Sequence, residues 1–520
     1  MGITRRKEGV KMKDKRVYRT MVWRRSLIAL MLLVQIILLA WILISTSNAS
    51  RYISGALQFI SLLVCLSIIY KQQKDAYKLT WVFLILIVPV FGGLFYLLLK
   101  FPGGRSFRHQ EPETPLRPLY LLAGDALPEA SQNLPGQSAQ MQYLQRYAGY
   151  PVYDHTATEY YASGESYFAA ILEALEQAEK YIFLEFFIVE DGQMWGSILD
   201  ILKRKAAQGV KVRFLYDDVG CILRMPTDTP QQLEQYGIEC HIFNPFHFVL
   251  TSVQNNRDHR KILSIDGKVA FTGGVNLADE YINVVERFGH WKDAGVRVEG
   301  KAAWSLTMIF LQMWQNVSKK RENLTSWYPG GESLRAVPTQ GYVQPYADTP
   351  LDGENVGETV YRRMIDSARN YLYVMTPYLI LDEDMLSALS VAAKSGVDVR
   401  IMTPARWDKR VVHMTTRSYY RGLLESGVRI WEYTPGFVHS KVVVSDDRVA
   451  SVGTTNLDFR SLYLHFECGT LLYDTPGVLQ ARDDFLMTLP QCREIYLEDC
   501  HQGFWARLGH EVLRVFAPLM

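Results

Sequence analysis

Two stretches of the chain carry the same reactive side chains at the same spacing. The first is His259-Arg-Lys261-Ile-Leu-Ser-Ile-Asp266, followed by Gly273-Gly-Val-Asn276. The second is His439-Ser-Lys441-Val-Val-Val-Ser-Asp446, followed by Gly453-Thr-Thr-Asn456. Both read H-x-K-x4-D, and each asparagine trails its histidine by 17 positions. A single match would start at one of the 11 histidines in roughly 4% of such chains. Two matches with the same trailing asparagine exclude coincidence. An imidazole can attack phosphorus or carry a proton, while ammonium and amide groups stabilise negative oxygens as charge develops. Two copies of that set suit a phosphodiester, with one histidine forming a covalent phosphohistidine and the other protonating the leaving alkoxide. The competing reading, a metal site, is disfavoured because each histidine has a lysine beside it that repels a divalent cation. No metal or other cofactor is expected.

The positioning elements follow from local patterning. His and Lys at i and i+2 on a strand point to one face. Asp266-Gly267 is a hairpin turn signal, and Lys268 to Gly273 returns as the partner strand. That fold brings Asn276 to the same end as His259, so each hairpin presents His, Lys and Asn together. Asp266 and Asp446 complete the motif, but they sit at the turns, far from the histidine end, and read as hairpin anchors.

The hairpins belong to a longer duplication. Ala178-Glu-Lys-Tyr-Ile-Phe-Leu matches Ala368-Arg-Asn-Tyr-Leu-Tyr-Val, and Gly209-Val-Lys-Val-Arg matches Gly396-Val-Asp-Val-Arg. Helix and buried-strand patterns alternate in each copy, which predicts an α/β sandwich repeated about a pseudo-twofold axis. The first copy carries about ten extra residues before its motif, including Phe246, Phe248, Val249 and Leu250, which either touch acyl chains or pack over the hairpin. Trp304, Phe310 and Trp314 share a helix face and are expected in the core. His155, His241 and His413 have no matching partners, and the cysteines read as free thiols.

The N-terminal fifth differs from the rest. Ser26–Ile44, Ile53–Tyr70 and Leu79–Leu99 are apolar runs near the roughly 20 residues a spanning helix needs. Pro89 and Gly92-Gly93 make the third a candidate for a kinked or re-entrant segment. Ten basic residues in positions 1–25 place that end in the cytoplasm and leave the side of the catalytic part open. The expected organisation is a basic N-terminus (1–25), a membrane segment of two or three hydrophobic helices (26–99), a linker (100–140) and two α/β domains (141–335 and 336–520). Lys plus Arg number 56 against 54 Asp plus Glu, so a net charge of +2 argues against a nucleic-acid partner.

The duplicated motif with G-G-x-N and G-T-x-N resembles the phospholipase D superfamily. With the membrane runs, Asn276-Leu-Ala-Asp-Glu-Tyr281 and Asn456-Leu-Asp-Phe-Arg-Ser461 resemble its bacterial cardiolipin synthase family. The resemblance implies a multi-pass plasma-membrane enzyme with phosphatidylglycerol as both donor and acceptor. The alternative is a hydrolase with the same pocket, a lipid phosphodiesterase or a membrane-attached nuclease. It also implies His259 as nucleophile, His439 as acid/base, and an acidic residue orienting each histidine, at positions matching Asp293 and Glu467. Where the superfamily often has serine after the glycine, this chain has Gly274 and Thr454. Oligomeric state is left open.

Overall fold

A computed structural model describes residues 37, 48–71, 74–87, 92–93, 96–97, 116–246, 255–338, 341–501 and 503–519. The chain divides into two compact units. One gathers 1–107, 246–255 and 511–520, and the other holds 108–245 and 256–510, so both motif copies lie in the second unit.

The duplication is visible strand by strand in that second unit. In the first copy, β1 (Thr156–Tyr161), β2 (Tyr181–Phe186), β3 (Lys211–Asp217), β4 (Ile238–Phe243), β5 (Ile262–Ile265), β6 (Val269–Gly273) and β8 (Gly295–Gly300) form a sheet ordered β1-β8-β6-β5-β2-β3-β4; β7 (His290–Lys292) stands apart. The second copy contains β9 (Tyr342–Asp348), β10 (Tyr371–Met375), β11 (Asp398–Pro404), β12 (Arg429–Tyr433), β13 (Gly436–Val438), β14 (Val442–Ser445), β15 (Val449–Gly453), β16 (Glu467–Tyr473) and β17 (Cys492–Ile495). Its sheet runs β9-β16-β15-β14-β10-β11-β12 in the same sense and adds β17 at the edge. In both sheets three neighbouring strands are parallel and the motif hairpin pairs antiparallel beside them. β2 is buried along its whole length and β10 from Leu372 onward, which is why Tyr-Ile-Phe-Leu-Glu-Phe and Tyr-Leu-Tyr-Val-Met read as near-continuous apolar runs.

Helix Lys301–Ser318 is apolar on most of its circumference and therefore buried. It contacts β2, β5, β6 and β8 of its own copy and β9 of the other. Trp304, Phe310 and Trp314 are fully buried on it, and Phe310 stacks on Phe183 at 4.8 Å between ring centres. Among the described residues all six cysteines are free thiols.

The segment read as a linker is folded where it is described. Helices Arg117–Tyr120, Leu127–Asn133 and Ser138–Tyr143 start with Pro118 and Pro128 in two cases and bury Ala130, Leu134 and Met141. Gln140 and Asn133 donate to Val360 O and Tyr342 OH of the second copy. Polar and proline-rich composition hid helices too short to show a periodicity.

In the other unit, helices Asn48–Tyr70 and Asp75–Ile87 enclose a cluster of Val64, Ile68, Trp81, Ile85 and Tyr96. In the third apolar run, Tyr96 packs edge-on against Trp81 at 5.1 Å between ring centres. Among the described residues no helix is long and apolar enough to cross a membrane. Residues 1–25, nearly all of Ser26–Ile44, Pro89, Phe248, Val249 and Leu250 lie outside the described residues.

Candidate active site

Each motif hairpin closes through a two-residue turn with both residues left-handed. Asp266 and Gly267 have φ of 54° and 66°, and Asp446 and Asp447 have 55° and 57°. These are the conformations a tight turn between right-twisted strands requires. The Asp266 carboxylate accepts from the backbone N–H groups of Glu179, Lys180 and Tyr181 at 2.7–2.8 Å. Asp446 does the same with Arg369, Asn370 and Tyr371 at 2.7–2.9 Å. The third motif residue thus ties the hairpin to the start of the neighbouring parallel strand, away from the histidines.

At the other end of the hairpins the two copies exchange partners. β7 pairs in parallel with β13, which sets Trp291 beside Phe437 and Lys292 beside Val438, and His439 N–H donates to Lys292 O at 2.7 Å. The mirror arrangement joins Asp258 to Phe466, with His259 N–H donating to Phe466 O at 2.9 Å. Each histidine therefore hangs on the segment that carries the other copy's acid. His439 Nδ1 lies 2.7 Å from Asp293 Oδ2, and His259 Nδ1 lies 3.0 Å from both oxygens of Glu467. A carboxylate on Nδ1 fixes the proton there and leaves Nε2 as the reactive nitrogen. The resemblance pointed to Asp293 and Glu467, but the crossing between copies was not in it.

The groups are buried: His259, Lys261, His439, Lys441, Asn276, Asn456, Asp293 and Glu467 are all under 9% exposed. Burial, with Lys261 adding to it against the pull of Glu467, takes His259 down to about 3. Burial and Lys441 take His439 to about 4 despite Asp293. Both shifts favour the neutral ring, whose Nε2 is then free to act as a nucleophile or to accept a proton. Burial also lowers Lys261 to about 8 and Lys441 to about 7. Burial alone would raise the two acids, but each is held below its ordinary range by its histidine. The copies share one field: Lys261 acts on His439 and Lys441, and Asp293 acts on Lys261. Both ammonium groups donate back to their own histidine's carbonyl oxygen.

Two departures from strict symmetry have visible causes. A side chain at Gly274 would place its Cβ 2.0 Å from Asp293 Oδ1, so the acid occupies the space a serine would fill. In the other copy Thr454 Oγ1 donates to Glu467 Oε2. Asn276 accepts from Ile188 N–H and donates to Tyr281 OH, whereas Asn456 Oδ1 is buried and has no hydrogen-bond partner among the described residues.

A family model described as "Cardiolipin synthase, PLD-like domain" matches residues 171–314 and 361–488, and one described as "Phospholipase_D-nuclease N-terminal" matches 56–100. A cardiolipin synthase of Geobacillus thermodenitrificans is 37% identical over 476 residues, covering 91% of this chain and 93% of that protein. The chain belongs to the cardiolipin synthase family of the phospholipase D superfamily. A Halalkalibacterium halodurans cardiolipin synthase is 35% identical over 87% of this chain and 91% of its own length. An uncharacterized protein of Streptococcus mutans is 43% identical over 88% of this chain and 99% of its own length. The fold is shared with a phosphatidylserine synthase structure from Haemophilus influenzae, at TM-score 0.53 and 17% identity over 70% of this chain and 93% of that one.

Within this cardiolipin synthase fold, sequence reasoning did not single out the rings around the histidines. Trp291 and Tyr281 lie 5.2 and 5.4 Å from His439, and Phe187 and His465 lie 5.0 and 5.5 Å from His259, between ring centres. The one signal available was position: Trp291 and His465 each stand two residues before their copy's acid. Arg260, between the motif His and Lys, is pinned by Glu185 at 2.6 Å and Asp258 at 3.0 Å, which braces the motif against β2. His259, His465 and Glu467 offer ligand atoms within 4.8 Å of one another. The buried Lys261 ammonium beside them opposes a divalent ion there.

Proposed function

We propose that this chain transfers the phosphatidyl group of one phosphatidylglycerol to a second, giving cardiolipin and glycerol through a phosphohistidine. His259 Nε2 attacks phosphorus while His439, which carries a proton on Nε2 once the anionic phosphodiester lies beside it, gives that proton to the departing glycerol oxygen as the P–O bond breaks. The acceptor's hydroxyl then loses its proton to His439 as its oxygen attacks phosphorus and the N–P bond breaks. Lys261, Lys441, Asn276 and Asn456 stabilise the phosphate oxygens as charge builds, Asp293 and Glu467 orient the rings, and Asp266 and Asp446 hold the hairpins. The observation that carries this reading is the exchange of acids, which leaves one reactive Nε2 on each copy and makes the two copies a single site. A bilayer partner follows from the lipid substrate and from the apolar residues before 100. Multi-pass attachment to the plasma membrane belongs to the same proposal.

The decisive experiment incubates purified protein with vesicles of phosphatidylglycerol. Cardiolipin and glycerol in equal amounts are expected, and added glycerol should drive cardiolipin back to phosphatidylglycerol, since the bond broken and the bond made are alike. Phosphatidic acid as the main product would put a hydrolase in its place.

A further inference from the structure

Helix Phe504–Phe516 has two unlike faces. Phe504, Leu508, Val512 and Phe516 recur every four positions with Trp505 beside them, while Arg507, His510, Glu511 and Arg514 recur at spacings of three, four and seven. In a globular protein such an apolar face packs on a core. Here Phe504 is 71% and Trp505 79% exposed, and Leu508 and Val512 are exposed as well. An apolar strip turned outward in this way marks a surface that something else covers.

The last turn of this helix is docked on helix Asp75–Ile87. The Thr80 hydroxyl donates to Val515 O at 2.6 Å, and Phe83 packs edge-on against Phe516 at 5.9 Å between ring centres. Helix Asp75–Ile87 leaves Leu79 and Leu86 exposed, and helix Asn48–Tyr70 does the same with Phe59, Leu62 and Leu66. A lipid surface meets the outward apolar residues of all three helices with one partner, whereas a protein partner would need a matching face for each. Thirteen residues give a helix about 20 Å long, short of the roughly 30 Å hydrocarbon core, and charges stand in its middle. A helix with Phe, Trp and Leu on one side and Arg on the other lies flat at the boundary of water and lipid. Two arginines against one glutamate leave its polar side net positive, which matches the anionic headgroup of phosphatidylglycerol.

We propose that helix Phe504–Phe516 lies in the headgroup layer of an anionic bilayer, with Phe504, Trp505, Leu508 and Val512 among the acyl chains and Arg507 and Arg514 level with the phosphates. The chain then touches lipid through a segment beyond its catalytic sheets as well as through the apolar residues before 100. The inference rests on the reading above for its bilayer partner and is independent of the transfer chemistry. Each apolar side chain sunk in lipid adds to the hold, and each arginine adds an attraction that depends on headgroup charge.

The test puts a photoreactive benzophenone side chain in place of Leu508 or Val512 and, as the opposite-face control, in place of His510. The full-length protein is reconstituted in phosphatidylglycerol vesicles and irradiated, and the adducts are mapped by mass spectrometry. Lipid adducts at Leu508 and Val512 should exceed those at His510 by about fivefold or more. In phosphatidylcholine vesicles the yield should be about fivefold lower for one net positive charge, and equal yields overturn the role given to the arginines. A milder variant guards against misfolding: brominated phosphatidylglycerol should quench tryptophan fluorescence less in Trp505→Phe than in the parent. No lipid adduct on the apolar face, or equal quenching in parent and variant, overturns the proposal. Adducts that join two protein chains overturn it in favour of a second copy as the occupant. Phosphatidic acid as the main product in the assay above would remove the transfer reading and leave these lipid contacts standing.

Discussion

The surroundings of His439 and His259 are built on one hydrogen-bonding plan and filled differently. Both rings hang on the other copy's backbone, both give Nδ1 to the other copy's acid, and both have a lysine two residues on. Around His439 the remaining volume is aromatic, with Trp291, Tyr281 and Phe437 packed on the ring, and the acid is short enough to need a glycine beside it. Around His259 the acid is one methylene longer, takes a threonine hydroxyl, and has a second imidazole at its side. Duplication has thus kept the hydrogen bonds that fix the chemistry and let the packing around them diverge. Under the proposed mechanism both rings need the first, while unequal jobs of attack and proton transfer permit the second.

The comparison breaks most sharply at the rings themselves. His259→Ala and His439→Ala should each cut cardiolipin formation by about 10³-fold or more, with the thermal melt little changed. A large residual rate in either variant would mean that one copy suffices. Replacing Lys261 or Lys441 by Met should cost about 10²-fold in kcat, because the phosphate oxygens lose a fixed positive charge. Glu467→Gln should slow the reaction by roughly 10- to 100-fold through disorder of a ring in the other copy, and Asp293→Asn likewise. Gly274→Ala should approach the Asp293→Asn value because its methyl collides with Asp293, whereas Thr454→Ala removes one hydrogen bond and should cost only about 3-fold. Equal effects at 274 and 454 would show that the packing difference is immaterial.

Acidity offers a gentler probe. Lys441 and Lys261 are depressed to about 7 and about 8, so their charged forms are lost as pH rises through those values. The kcat/KM profile should therefore fall on the alkaline side by about tenfold per pH unit, starting near neutrality rather than near the ordinary lysine value. Lys441→Arg, which keeps its charge, should move the onset upward even if its rate is lower. Chelation should have the smallest effect: EDTA is expected to leave synthesis in detergent intact, and complete loss restored by one divalent ion would revive the metal reading at His259, His465 and Glu467.

What could be read from the sequence was local. The spacing of His, Lys, Asp and Asn, the Asp-Gly turn and the repeated apolar strands each depend on residues within about 20 positions of one another, and these features reappear in the fold. The exchanged acids do not have that property. His259 and Glu467 are 208 positions apart, and His439 and Asp293 are 146 apart, so only the docking of one copy on the other reveals the pairing. His465 carried no spacing signal of its own, and a lone histidine beside an apolar strand is usually a core residue. The helices between 117 and 143 were missed because each is one or two turns long, and two of the three open on a proline as a linker does.

The exchange also has a consequence for how the protein comes into being. A ribosome delivers His259 and Lys261 long before Glu467, and it delivers Asp293 long before His439. A nascent or prematurely terminated chain that ends between the copies holds one imidazole without its acid and one acid without its imidazole. Such a fragment has no complete pair to cut lipid with, even if its first sheet has already folded. The wiring therefore works as an interlock on biosynthesis: phosphodiester cleavage becomes available only when translation has passed the last acid and both sheets have met.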